Sequence, residues 1–184
     1  MPQYFAFLRS INVGGRTVKM DRLRQIFTSL GFAKVETFIA SGNVIFESRV
    51  RNTTALEKKI ENVLQETLGY KIATFIRTRP ELAGIANHDP FAKAQGDAAL
   101  YIALVSQTPK GDARTKLMSF RTKNDDFHVN GREIYWLCRK SFSKSDFSGA
   151  ILEKILGSPA TLRNVTTVRG LAAKYAGREA GLGT

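Results

Sequence analysis

The sequence predicts an α+β protein of two tandem subdomains, the first ferredoxin-like (β-α-β-β-α-β) and the second a related β-α-β-β-α-α unit. Three observations predict it. Apolar residues switch between strand and helix periodicity along the chain, and glycine or proline marks most changes. Residues 1–79 run strand, helix, two strands, helix, strand, the split pattern of the ferredoxin-like class. Residues 98–177 echo that order, although the two halves share no obvious sequence identity.

Taken in order, "QYFAFLR" (3–9) is the first strand. In "KMDRLRQIFTSLG", Met20, Leu23, Ile26, Phe27 and Leu30 form a helical stripe that Gly31 ends. "KVETFIA" (34–40) and "NVIFES" (43–48) are strands joined by a tight hairpin at Ser41-Gly42. The next helix carries Leu56, Ile60, Val63, Leu64 and Leu68 on one face, with Thr54 and Glu57 at capping-box spacing and Gly69 as its stop. "KIATFIRT" (71–78) is the fourth strand.

Residues 80–97 form a connector, with Pro80 at a helix N-terminus and a break at Asp89-Pro90. "AALYIALVS" (98–106) opens the second half as a strand. A helix with Ala113, Leu117 and Phe120 inward follows, then a hairpin with a type I′ turn signal at Asn130-Gly131. "FSGAILEKILG" is a helix, and "TLRNVTTVRGLAAKYAG" closes with another that uses Val165, Val168, Leu171, Ala172 and Tyr175. Residues 178–184 read as a flexible tail.

Composition bounds the function classes. The chain has 184 residues, 43% of them hydrophobic and 24% charged, as in ordinary globular proteins. It has no apolar run long enough to cross a membrane and no signal-peptide pattern at its start. The single cysteine, Cys138, lies in an apolar strand and reads as a small buried hydrophobe, which with the missing export signal makes the cytoplasm the default compartment. The net charge of +12 favours polyanionic partners, although charge alone argues solubility and loose association.

"FLRSINVGGRTVKM", "ASGNVIF" and "TLRNVTTVRGLA" together resemble, in the same order, landmarks of the family catalogued as domain of unknown function 1697. Arg9, Asn12, Val13, Gly14, Gly15, Lys19 and Met20 match its opening motif. Ser41, Gly42 and Asn43 match its hairpin, and Thr161, Arg163 and Asn164 its C-terminal motif. Ser10 stands where glycine is usual, Val165 where an aromatic is usual, and Asp146 where lysine is common. The resemblance implies a bacterial, intracellular α+β protein of two subdomains with no established activity.

The most chemically suggestive stretch is "RSINVGGRTVK". Gly14 and Gly15 can take positive φ, and backbone N–H groups, a following helix and Arg9, Arg16 and Lys19 would together suit an anion. The same glycines suit a connection that only needs flexible residues. It has neither the Walker spacing nor the dinucleotide fingerprint. An antiparallel β-α-β-β-α-β sheet puts this loop beside the Ser41-Gly42-Asn43 hairpin. The candidate ligand-binding set is therefore Arg9, Ser10, Asn12, Gly14, Gly15, Arg16, Lys19, Ser41 and Asn43, with Ser145, Arg163 and Asn164 as secondary members. Arg163 also reads as a tie between subdomains and Asn164 as a helix N-cap.

Other chemistry is poorly supported. RNA-recognition stacking requires aromatics where the strand pattern puts Asn43 and Ile45, while Phe5 and Phe7 suit a core. His88 and His128 lie in different halves with no ligand spacing, and "NDDF" (124–127) reads as a solvated turn, so no metal and no cofactor are expected. No catalytic triad or general base stands out. "RKSFSKSDFS" (139–148) reads as a basic loop that is either a mobile lid or a solvated connection anchored by Phe142 and Phe147. The expected partners are nucleic acid or a phosphorylated small molecule, with no membrane, for a polyanion-binding module that is a monomer or weak homodimer. The alternatives are an enzyme acting on a small phosphorylated molecule between the subdomains, and a protein-interaction module.

Overall fold

The computed structural model describes residues 1–12, 14–94 and 97–176; the expected tail and Val13 lie outside them. In chain order the first half holds β1 (Gln3–Leu8), α1 (Met20–Ser29), β2 (Ala33–Thr37), β3 (Asn43–Glu47), α2 (Thr53–Leu68), β4 (Thr74–Thr78) and α3 (Arg79–Asn87). The second holds β5 (Ala99–Val105), α4 (Gly111–Ser119), β6 (Asp125–Asn130), β7 (Glu133–Cys138), α5 (Gly149–Leu156), β8 (Ala160–Asn164) and α6 (Val165–Ala176). Each half contributes a four-stranded antiparallel sheet, ordered β2-β3-β1-β4 and β6-β7-β5-β8.

Strand parity divides the core into three clusters. Tyr4, Ala6 and Leu8 of β1 face α1 and α2, packing on Leu23, Ile26 and Phe27 and on Leu56, Ile60 and Leu64. Ala103 and Val105 of β5, with Ile134 and Trp136 of β7, face Leu117 of α4 and Leu152 of α5. The opposite sheet faces meet in the middle, where Phe5, Phe7, Ile45, Phe75, Ile102 and Tyr135 are buried with Leu82 and Ile85 of α3 and Val168, Leu171 and Tyr175 of α6. The face that would carry stacked bases is thus the inside of the molecule.

The structure corrects several expectations. The second half is not β-α-β-β-α-α: residues 160–164 form β8, paired with β5 from Tyr101↔Asn164 to Val105↔Ala160. It was hidden because its buried residues include Thr161 and Arg163, so it lacks an apolar alternation. With β8 added, both halves share one order, β-α-β-β-α-β-α. The β2–β3 connection is not a tight hairpin but spans residues 38–42, with Ile39 exposed at φ +58°. The β6–β7 turn is centred on Gly131-Arg132; Asn130 stays in register opposite Glu133, and only Gly131 has positive φ, the type II′ pattern instead of type I′. The cap of α2 is Asn52, which accepts from the N–H of Ala55, and Glu57 has other work.

Gly42 shows why this corner needs glycine. Its φ is +74°, and a Cβ would lie 2.8 Å from Cγ2 of Ile11 and 3.2 Å from the carbonyl oxygen of Leu8. Gly42→Ala combines left-handed strain with overpacking, and urea denaturation should show a loss of about 2–3 kcal/mol.

Candidate functional site: a cleft between the two sheets

Two buried arginines tie the halves together in a reciprocal arrangement. Arg77 on β4 donates to Glu133 (2.7 Å) and to the carbonyls of Val105 and Arg132 (3.1 Å each) in the second half. Arg163 on β8 donates to Asn43 Oδ1 (2.7 Å) and to the carbonyls of Leu8 (3.0 Å) and Ser41 (2.9 Å) in the first. The positions correspond: Phe5↔Arg77 and Phe7↔Asn43 in one sheet match Ile102↔Arg163 and Leu104↔Glu133 in the other. Burial pushes the Arg77 guanidinium below its ordinary pKa, and that of Arg163 down to about 10. Both remain charged at neutral pH.

At the Arg163 end a cleft of about 480 Å³ opens between the halves. The first half lines it with Arg9, Ser10, Asn12 and Ser41. The second half lines it with Phe142, Gly149, Glu153 and Leu162, and Arg163 forms part of the floor. Arg9 is paired across the cleft with Glu153 by two hydrogen bonds, Nη2 to Oε2 at 2.8 Å and a shorter one from Nε. That bond to Glu153 raises Arg9 above the ordinary guanidinium pKa. Burial pushes the Glu153 carboxyl up, but the Arg9 bond, the N–H of Ala160 and the Arg9 charge hold it below its usual value.

The sequence-derived candidates fall into three groups. Arg9, Ser10, Asn12, Ser41 and Arg163 line the cleft. Ser10 is exposed at φ +52°, which explains why glycine suits that place. Asn12 clasps its loop, accepting from the N–H of Val18 (2.8 Å) and donating to the carbonyl of Ala40 (3.1 Å).

Asn43, Ser145 and Asn164 belong to the frame. Asn43 is buried and donates to the Phe38 carbonyl and Ser41 Oγ while accepting from Arg163, so its side chain is fully engaged. Ser145 donates to Asp125 (2.9 Å), and Asn164 accepts from the N–H of Thr166 as a cap does. Asp125 is buried and also accepts from Trp136 Nε1, so the solvated-turn expectation for residues 124–127 fails there.

Gly14, Gly15, Arg16 and Lys19 lie on the exposed outside of the loop and do not line the cleft. Gly14 and Gly15 both have positive φ (+68° and +80°). Two successive left-handed residues do not alternate in hand as an anion nest does. Arg16 lies over the ring of Tyr70, 4.3 Å from its centroid.

Sequence reasoning missed Arg77 and Glu153, and it separated two histidines that the fold joins. A lone arginine inside an apolar strand, as in "TFIRT", was the available signal for Arg77. His88 ends α3 and its ring lies 5.2 Å from that of His128 on β6; both rest against Tyr135. The Nε2 of His88 is buried without a hydrogen-bond partner. Among the described residues, no three His, Cys, Asp or Glu side chains gather as a metal site would need. Desolvation, then the neighbouring His88 and Arg114, hold His128 below the ordinary histidine pKa against an opposing Asp126. A depressed pKa gives stability that is present above the unfolded value and lost as pH falls. Unfolding free energy should therefore decline as pH drops below about 6.5, and His128→Asn should flatten that decline.

The geometry defines a tandem α+β protein with two four-stranded antiparallel sheets and a cleft between its halves. Residues 1–135 match the family model described as "Protein of unknown function (DUF1697)", and the chain belongs to that family. No curated protein matches the sequence. Among solved structures, the conserved bacterial protein SP0830 from Streptococcus pneumoniae is similar, with 24% identity and a TM-score of 0.69 over 94% of this chain and 97% of that one. The likeness is one of fold. Among the described residues, no helix is long and apolar enough to cross a membrane.

Proposed function

We propose that the chain binds a small anionic molecule, phosphorylated or carboxylated, in the cleft between two ferredoxin-like units, residues 1–79 and 98–177, bridged by 80–97. This narrows the polyanion expectation to a small ligand. One observation carries it. The three loops that exceed their counterparts in the other half by most are 9–19 against 106–110, 139–148 against 48–52, and 38–42 against 131–132; the other unequal pairs differ less. All three border this one cleft. Lengthened loops converging on one place are how a rigid scaffold is fitted to a ligand. Arg9, Ser10 and Ser41 supply donors suited to an oxyanion.

Binding is favoured over catalysis because Glu153, the carboxylate in the cleft, is already committed to Arg9 and Ala160. Nucleic acid retains only backbone electrostatics through exposed residues such as Arg16 and Lys19, because the aromatic sheet face is covered. A monomer is favoured because β4, one sheet edge, has its outward N–H groups occupied: Glu61 accepts from Thr74, Glu57 from Ile76 and Glu81 from Thr78. The lone buried Cys138 fits a cytoplasmic setting.

Thermal unfolding with inorganic phosphate, pyrophosphate, glutarate or tRNA, at low and high salt, tests this. A small anion should raise the wild-type midpoint, and Arg9→Gln should lose most of the rise. A rise with tRNA alone that vanishes at high salt would instead indicate nucleic-acid binding. No rise with any small anion would reject the cleft reading.

A further inference from the structure

The correspondence between the halves shows what the cleft lacks. On β4 the N–H groups of Thr74, Ile76 and Thr78 point away from the sheet, and each meets a carboxylate: Glu61, Glu57 and Glu81. Register makes Ala160, Leu162 and Asn164 of β8 their equivalents. Ala160 is served by Glu153, as Thr74 is by Glu61. At the place of Glu57, one helical turn before Glu153, stands Gly149, which has no side chain to offer Leu162. Gly149 and Leu162 both line the cleft, and a Cβ on Gly149 would lie 3.2 Å from Cδ1 of Leu162.

The carbonyl of Leu162 is occupied, accepting from Nη1 of Arg163 at 2.9 Å. The edge of β8 at Leu162 therefore offers an outward donor beside a carbonyl that already holds one hydrogen bond. An added β-strand needs both, whereas an anion needs only donors. A peptide strand is accordingly a poor occupant and an oxyanion a good one.

We infer, building on the cleft reading above, that the ligand carries a carboxylate, which docks on the N–H of Leu162 where the first half uses its own Glu57. Everywhere else on these two edges that a side chain meets an outward N–H, the protein uses a carboxylate. The ligand completes that pattern. Arg9 is already paired with Glu153, so the ligand's charge is balanced by Arg163, whose side chain is held by uncharged oxygens at the same cleft.

The test is amide NMR of the uniformly ¹⁵N-labelled full chain titrated with glutarate and, separately, inorganic phosphate. Glutarate should move the Leu162 amide downfield and bind more tightly than phosphate. Gly149→Glu puts a carboxylate at the empty place, so its free protein should show Leu162 already shifted and the glutarate response lost. The wild-type titration decides the matter even if Gly149→Glu does not fold.

If glutarate moves Arg9, Ser10 and Ser41 but leaves Leu162 still, the carboxylate inference fails and the anion cleft stands. If phosphate moves Leu162 as readily as glutarate does, the choice of carboxylate fails. If neither anion moves any cleft resonance, both readings fail.

Discussion

Arg163→Ala should lower the unfolding free energy by about 3–5 kcal/mol, because it strips donors from a buried network and leaves the acceptors behind. The Arg163 side chain reaches Asn43 Oδ1, Thr161 Oγ1 and the carbonyls of Leu162, Leu8 and Ser41, all between 2.7 and 3.0 Å. These acceptors belong to β1, β3, β8 and the β2–β3 loop. Among the described residues no acceptor of Arg163 is a carboxylate, so uncharged oxygens hold the guanidinium in place. Arg163→Lys keeps the charge but loses the planar fork, and it should fall between wild type and alanine. Urea denaturation measures all three proteins, and a loss under about 1 kcal/mol for alanine would mean that water replaces the network at little cost.

Arg77→Ala should cost a similar amount, about 3–5 kcal/mol, for a partly different reason. Arg77 is 0% exposed and is ion-paired with Glu133, whose side chain is only 13% exposed. Removing the arginine strands a carboxylate near the interior and frees the carbonyls of Val105 and Arg132. The reason can be isolated by a double-mutant cycle. Arg77→Met with Glu133→Gln removes both charges and should recover a substantial part of the loss. If the double substitution is as unstable as the sum of the single ones, the stranded charge is not the cause.

The helical stripes were legible because their physics is local. Leu23, Ile26 and Phe27, and Leu56, Ile60 and Leu64, recur at helical spacing and are buried as that spacing requires. The first lip of the cleft was legible through topology, which sets the loop after β1 beside the β2–β3 loop; the Asn12–Ala40 bond joins them. β8 was not legible, because a strand whose buried residues include a threonine and an arginine looks like a loop. Its role depends on acceptors about 120 to 155 residues away, beyond the reach of a sequence window. Gly149 carried no signal by itself. It acquires meaning only when the other half shows Glu57 in the same place.

The Gly14-Gly15 loop drew attention by its charge, yet the cleft lies on its other side, at Arg9, Ser10 and Asn12. Isothermal titration with glutarate distinguishes the two most directly, comparing wild type with Arg9→Gln and with Arg16→Ala/Lys19→Ala. Arg9→Gln should weaken binding by about tenfold or more, the worth of a charge-assisted hydrogen bond, while the double variant should bind like wild type. The reverse pattern, with Arg9→Gln unaffected and the double variant impaired, would place the anion on the exposed loop and contradict the cleft.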